Sequence, residues 1–367
     1  MLERYGHGGD LRTATETYGI TSTSFVDFSS NMNPLGPPSV VQNVLIQYAK
    51  DIHNYPDPAV RELRDKLSEI HHIEVNSLLI GNGAAELIDL VVRALKPNKV
   101  AIAVPCFAEY GDAARKQGIE VVELPLHSKS GFVLDEEWVR QSLENGKADL
   151  YMLGSPNNPT GRFVSSKLIV QLLDSGATVV VDEAFMDFVQ EEDDHSLIRK
   201  ASSHERLFVI RSMTKFYSIP GIRLGYIVGH PERIELLRAL QVPWSVNSLA
   251  QLIGVAVLGD LTFVNDTKNW LQIEKEYLTA GLLQLGFDVF PSEVNYLLLR
   301  LPTVMNKSSS QLQDELGHRG VLIRDASRFP GLDHSYIRVA IKLREHNERL
   351  LHEISDLLSV GGSDVGR

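Results

Sequence analysis

The sequence predicts an α/β fold, with a large, mostly parallel seven-stranded sheet covered by helices and a smaller α+β domain. Three observations predict it. Apolar, β-branched runs recur at 78–80, 99–104, 119–124, 149–153, 178–182, 206–211 and 224–228. Helix-like stretches at 84–95, 107–117, 134–145 and 164–175 separate several of them, the alternation of a parallel sheet buried on both faces. After 246 the apolar period becomes helical through about 284, and short strands follow.

In order along the chain, residues 1–40 read as an irregular arm, with glycine at 6, 8 and 9 and the loop NMNPLGPP at 31–38. A helix at 41–50, the turn HNYPDP at 53–58 and a helix at 58–71 lead into the strand–helix alternation. The C-terminal part holds a strand at 295–301, a helix at 309–318, strands at 321–326 and 336–341, and a helix at 344–359. The tail 361–367 is expected to fray, and the acidic run EEDDH at 191–195 reads as a solvated loop. The expected organisation is an arm over 1–40, a large domain over 41–245 and a small domain over 246–367. A length of 367 residues suits two such lobes.

Composition narrows the function. The chain carries 36 Lys+Arg against 47 Asp+Glu, a net charge of −11, which argues against nucleic acid as a partner. Local arginines still permit small anionic substrates. The lone cysteine, Cys106, rules out an intramolecular disulfide and a Cys-rich zinc site, and no metal is expected. It fits a reducing cytoplasm, and no run reaches the ~20 apolar residues of a membrane span. The N-terminus lacks the apolar region of a signal peptide.

Four segments carry chemistry. SMTKFYSIPGIRLGY (212–226) places Lys215 just past a strand end, flanked by Ser212 and Thr214, with Arg223 eight residues on. Such sheets place ligands at that edge, and lysine there forms Schiff bases with aldehydes. Ser212, Thr214 and Arg223 suit a phosphate. SPNNPTG (155–161) follows a strand and presents Asn158 at the same edge. VVVDEAFMDF (179–188) ends a strand at Asp182, a buried carboxylate that needs a cationic or hydrogen-bonding partner such as a protonated pyridine nitrogen. GNGAAELI (81–88) is a glycine turn opening a helix, whose first amides favour phosphate. Glu86 there reads as a carboxylate favoured by the helix dipole.

The order phosphate turn, Asn, Asp, Lys, Arg resembles the fold-type I pyridoxal-phosphate enzymes of the aspartate aminotransferase superfamily, over nearly the whole chain. HGG (7–9), DFSSNMNPLG (27–36), DEAF (182–185), PWSVN (243–247), NYLLLR (295–300), LIR (322–324) and PGLDHSYIRVAI (330–341) narrow it to a decarboxylating family in the histidinol-phosphate aminotransferase-like branch. The resemblance implies pyridoxal 5′-phosphate as cofactor. It makes Lys215 the cofactor-linked lysine and Asp182 the partner of the pyridine nitrogen. Asn158 takes the ring oxygen, and the phosphate falls to Arg223, Ser212, Thr214, Gly83, Ala84 and Ala85. Phe107 would stack on the ring. Tyr55 would reach the neighbouring subunit's cofactor phosphate, which implies a homodimer with a shared site. His7, Gly8, Asn31, Asn158, Arg324 and Arg338 would bind substrate. The implied reaction is decarboxylation of O-phospho-L-threonine to (R)-1-amino-2-propanol O-2-phosphate in cobalamin biosynthesis. The alternatives are histidinol-phosphate aminotransfer and, more remotely, a non-catalytic cofactor-binding regulator.

One departure bears on that choice. Aminotransferases of this superfamily carry D-x-A-Y, whose tyrosine donates to the ring oxygen; here the position is Phe185. Without that donor the oxygen is more basic and holds the neighbouring proton more tightly, which favours a better electron sink.

Overall fold

The computed structural model describes residues 8–144 and 147–361. The tail predicted to fray falls almost wholly outside these residues. All seven predicted strands form one sheet. In spatial order they are Leu78–Gly81, Gly225–Val228, Leu207–Ser212, Thr178–Asp182, Leu150–Gly154, Lys99–Val104 and Glu120–Pro125. Gly225–Val228 runs antiparallel to both neighbours, and the remaining pairs are parallel.

The sheet is two-sided because its central strands alternate between two apolar cores. Val179 and Val181 enter one and Val180 the other; Tyr151 faces one side and Leu150 and Met152 the opposite one. A period of two with apolar residues at both phases yields continuous Val/Ile/Leu runs. Helix Ala84–Leu95 packs on one face, burying Leu87, Ile88, Val91 and Val92.

The smaller domain is built on an antiparallel sheet in the order Arg324–Asp325, Tyr336–Ala340, Tyr296–Arg300, Asp288–Val289. Its register sets Arg324 directly opposite Arg338. The predicted strand 321–326 is divided: Val321–Leu322 leaves this sheet and pairs in parallel with Val26–Asp27 of the arm. The helical stretch after 246 is likewise two helices, Ser248–Val257 and Leu261–Gln284. Asp260 separates them because its carboxylate accepts from the Phe263 N–H and caps the second helix.

Two expectations need correction. The arm is not irregular throughout: Leu11–Tyr18 is a helix, capped by Asp10 at the Thr13 N–H (3.0 Å) and closed by Gly19 at φ 68°. Only Ala14 of it is buried, so its apolar period is faint. The run 191–195 is not simply a solvated loop: Glu192–His195 is a short helix, and Glu192 accepts from buried Arg211 at 2.8 Å. The arm continues along the small domain and is pinned at three successive carbonyls. Ser29 O accepts from Arg338 (2.7 Å), Ser30 O from Lys342 (3.3 Å) and Asn31 O from Asn295 (3.0 Å).

Candidate active site

Parallel strands put their C-terminal ends on one edge of the sheet, and the predicted residues gather there. Asp182 and Ser212 are the last residues of adjacent strands. Asn158 lies in the loop after Leu150–Gly154, and Phe107 follows Lys99–Val104. Together with Ala84, Ala85, Thr214, Lys215 and Arg223 they line a cavity of about 260 Å³.

Lys215 Nζ donates to Ser212 Oγ at 3.0 Å, and Ser212 Oγ shares a 2.9 Å hydrogen bond with Thr214 Oγ1. Burial lowers the affinity of Lys215 for its proton, and the charge of Asp182 works against that. Burial conversely raises the proton affinity of Asp182, against hydrogen bonds from Tyr110 and the Ala184 N–H and the charge of Lys215. Its Oδ2 accepts from Tyr110 at 2.7 Å and its Oδ1 from the Ala184 N–H at 3.0 Å.

The phosphate end is shaped by glycine. Gly83 has φ +87°, and a Cβ there would lie 2.5 Å from Arg223 Nη2. Only a residue without a side chain lets the guanidinium approach the turn. The Gly83 N–H donates to Gly81 O, so Ala84 and Ala85, at the start of the helix, are the members of the turn that reach the cavity. Glu86 accepts from the Asn82 N–H at 2.6 Å and belongs to the turn, not the cavity.

A second cavity of about 510 Å³ adjoins the first and shares Phe107, Asn158, Phe185 and Lys215 with it. It is lined by Gly8 and Asn31 of the arm and by Arg324 and Arg338, each arginine only 6% exposed. Gly8 packs so closely that a Cβ would meet Ser29 O at 2.3 Å. Arg338 donates to Asn158 Oδ1 and lies 5.4 Å from the Tyr296 ring centroid, while Arg324 lies 5.3 Å from that of Phe329. Phe185 is buried, and Lys215 Nζ stands 5.8 Å from its ring centroid.

Of two further predicted site residues, one is not described and the other lies elsewhere. His7 falls outside the described residues. Tyr55 is 81% exposed, lines neither cavity, and packs on exposed Trp244 at 5.2 Å.

Sequence reasoning missed Tyr110 and Phe329. Tyr110 stands three residues after Phe107 at the start of a helix, a spacing that brings side chains together. Its ring meets that of Phe107 edge-on at 5.8 Å. Phe329 sits in a loop without periodicity and gave no signal.

A fold with a lysine, an aspartate and a phosphate cup at the carboxyl edge of a mostly parallel sheet defines a class of cofactor enzyme. The chain belongs to the aminotransferase class I and II family, whose model matches residues 23–354. It is 37% identical to a threonine-phosphate decarboxylase of Salmonella typhimurium, over 96% of each chain. It is 30% identical to an adenosylcobalamin biosynthesis bifunctional protein of Leptospira interrogans, over 96% of this chain and 41% of that protein. Among solved structures it resembles the histidinol-phosphate aminotransferase of Clostridium acetobutylicum, with a TM-score of 0.83 and 31% identity over 90% of this chain and 98% of that one. Family members use pyridoxal 5′-phosphate, and the residues present fit it: the side-chain-free turn at Gly83 beside Arg223 suits a phosphate, and buried Asp182 faces the same cavity.

Proposed function

We propose that the protein decarboxylates O-phospho-L-threonine to (R)-1-amino-2-propanol O-2-phosphate and carbon dioxide, using pyridoxal 5′-phosphate, as a step in cobalamin biosynthesis. The observation that carries this reading is the pair Arg324 and Arg338. They are cross-strand neighbours, both buried, on a cavity that also reaches Lys215. Two guanidinium groups side by side on one cavity suit an anionic ligand. A substrate with a phosphate and a carboxylate supplies two anionic groups.

The bound cofactor supplies an electron-withdrawing ring that accepts the electron pair left when a bond at Cα breaks. Lys215 would hold it, and Asp182 would keep its pyridine nitrogen protonated. Ser212, Thr214, Arg223 and the turn at 83–85 would bind its phosphate, Asn158 would donate to its ring oxygen, and Phe107 would cover its face. Arg324, Arg338, Asn31, Gly8 and His7 anchor the substrate. That anchoring would orient the bond from Cα to the substrate carboxylate for cleavage. Lys215, whose proton is loosened by burial, returns a proton to Cα. Holding the substrate phosphate also guards it against elimination.

Phe185 favours decarboxylation over aminotransfer, for the reason given by its missing hydroxyl. Identity to the Salmonella decarboxylase likewise exceeds that to the Clostridium aminotransferase. The discriminating experiment is turnover of O-phospho-L-threonine by the purified holoenzyme without a 2-oxo acid. Dependence on 2-oxoglutarate contradicts the proposal.

A homodimer belongs to the same reading. Tyr55 and Trp244 pack together and stay exposed, as do Val242 and Ile52; exposed apolar surface supports an interaction face, and Tyr55 at a partner's phosphate would account for its lining neither cavity of this chain. Sedimentation at twice the mass of one chain, lowered by Trp244→Glu, tests it. We also keep the division into an arm (1–40), a cofactor domain (41–245) and a small domain (246–367). The proposed location is the cytoplasm, in keeping with a lone, buried Cys106 whose thiol burial pushes up to about 12. No single helix among the described residues is long and apolar enough to cross a membrane.

A further inference from the structure

We propose that Tyr110 is a positioning residue that sets how firmly Asp182 holds the proton at the cofactor's pyridine nitrogen. The inference rests on the placement of Asp182 proposed above. Tyr110 is buried at the start of helix Glu109–Lys116, and its hydroxyl donates to Asp182 Oδ2 at 2.7 Å. The other oxygen, Oδ1, accepts from the Ala184 N–H at 3.0 Å. One donor on each oxygen fixes the carboxylate's plane and leaves further lone pairs toward the cavity it lines. The same tyrosine ring meets the edge of Phe107. One side chain therefore orients both the group at the ring nitrogen and the group on the ring face.

The packing makes room for this hydroxyl. A Cβ on Gly154 would come within 3.2 Å of it, so the strand end beneath Tyr110 is trimmed to a glycine. The charged and titratable groups around the pair are Lys215 and Glu109 near Asp182, Arg223 near Lys215, and Cys106 and Tyr296 near Tyr110. Burial, and then the charge of Asp182, hold the Tyr110 hydroxyl well above its ordinary range, so it stays a donor at working pH.

The sign follows from the donor. A hydrogen bond to a carboxylate lowers its basicity. Without it, Asp182 is more basic and would hold the proton at the pyridine nitrogen more firmly, so the ring would keep more positive charge. The nitrogen of Lys215 held at that ring would then be less basic, so the pH midpoint of the holoenzyme's visible absorption falls.

Four holoenzymes are titrated by visible absorbance: wild type, Tyr110→Phe, a form with 3-fluorotyrosine at 110, and Asp182→Asn. Tyr110→Phe is expected to lower the midpoint by up to about one pH unit, with KM within about twofold. The fluorotyrosine form, a stronger donor of nearly unchanged shape, is expected to raise the midpoint. A purely structural tyrosine does not move it in that direction. If Tyr110→Phe fails to fold, the fluorotyrosine form decides alone. A wild-type midpoint in the tyrosine variants, with a shifted one in Asp182→Asn, overturns the role of Tyr110. An unshifted midpoint in Asp182→Asn overturns the placement of Asp182, and the inference with it.

Discussion

Arg338 donates through Nη1 to Asn158 Oδ1, so a proposed substrate residue is joined directly to a proposed cofactor residue. The same guanidinium donates through Nη2 to Ser29 O at 2.7 Å. With Oδ1 engaged, the NH₂ is the group Asn158 has left to donate. Lysine at 338 has a single point of charge and cannot make both bonds. Arg338→Lys is expected to raise KM for O-phospho-L-threonine by about ten- to a hundredfold, the range for a hydrogen bond to a charged group. Steady-state kinetics read this directly.

Gly83 tests the phosphate cup. Alanine there meets the Arg223 guanidinium at 2.5 Å and carries a Cβ at φ +87°. Gly83→Ala is expected to weaken cofactor binding by about tenfold or more, measured by equilibrium dialysis. Circular dichroism is expected to stay native, because the change is confined to one turn.

Phe185→Tyr returns a hydroxyl to the place where the ring oxygen would lie, next to Lys215. A donor there stabilises the oxygen's negative charge and loosens the proton it shares. The midpoint of the visible absorption is therefore expected to fall, and the ratio of decarboxylation to amino transfer with 2-oxoglutarate to fall with it.

Stability carries its own pH dependence. His71 Nε2 and the Tyr226 hydroxyl share a 2.8 Å hydrogen bond. Burial, and then the charge of Arg211, lower the His71 pKa from 6.5 to about 4. Above about pH 6.5 the ring is neutral in both folded and unfolded chains and adds no pH dependence. As pH falls below that, the unfolded chain takes up a proton that the folded one refuses until about pH 4. The native state is therefore expected to lose about 3 kcal/mol across that window. Urea unfolding of wild type and His71→Gln checks it, and the variant is expected to show a shallower loss.

The large sheet was legible because its strands, buried on both faces, read as unbroken β-branched runs such as Thr178–Asp182. Asp182, Lys215 and Asn158 were legible because parallel strands end at one edge. The parts that escaped depend on pairing between distant segments. Nothing local in VLIRDA shows that Val321–Leu322 joins the arm while Arg324–Asp325 joins the small domain. Arg211 and Glu183 carried no local signal, yet they form a buried 2.9 Å ion pair next to Ser212 and Asp182 in the chain. The arm helix Leu11–Tyr18 had its stop signals but too little apolar face to register.

The most direct test is carbon dioxide release from carboxyl-labelled O-phospho-L-threonine by the cofactor-loaded enzyme, with the organic product identified by mass. The expected result is one carbon dioxide for each aminopropanol phosphate formed, and none from Lys215→Ala. No labelled carbon dioxide, with amino transfer from histidinol phosphate to 2-oxoglutarate instead, would contradict it.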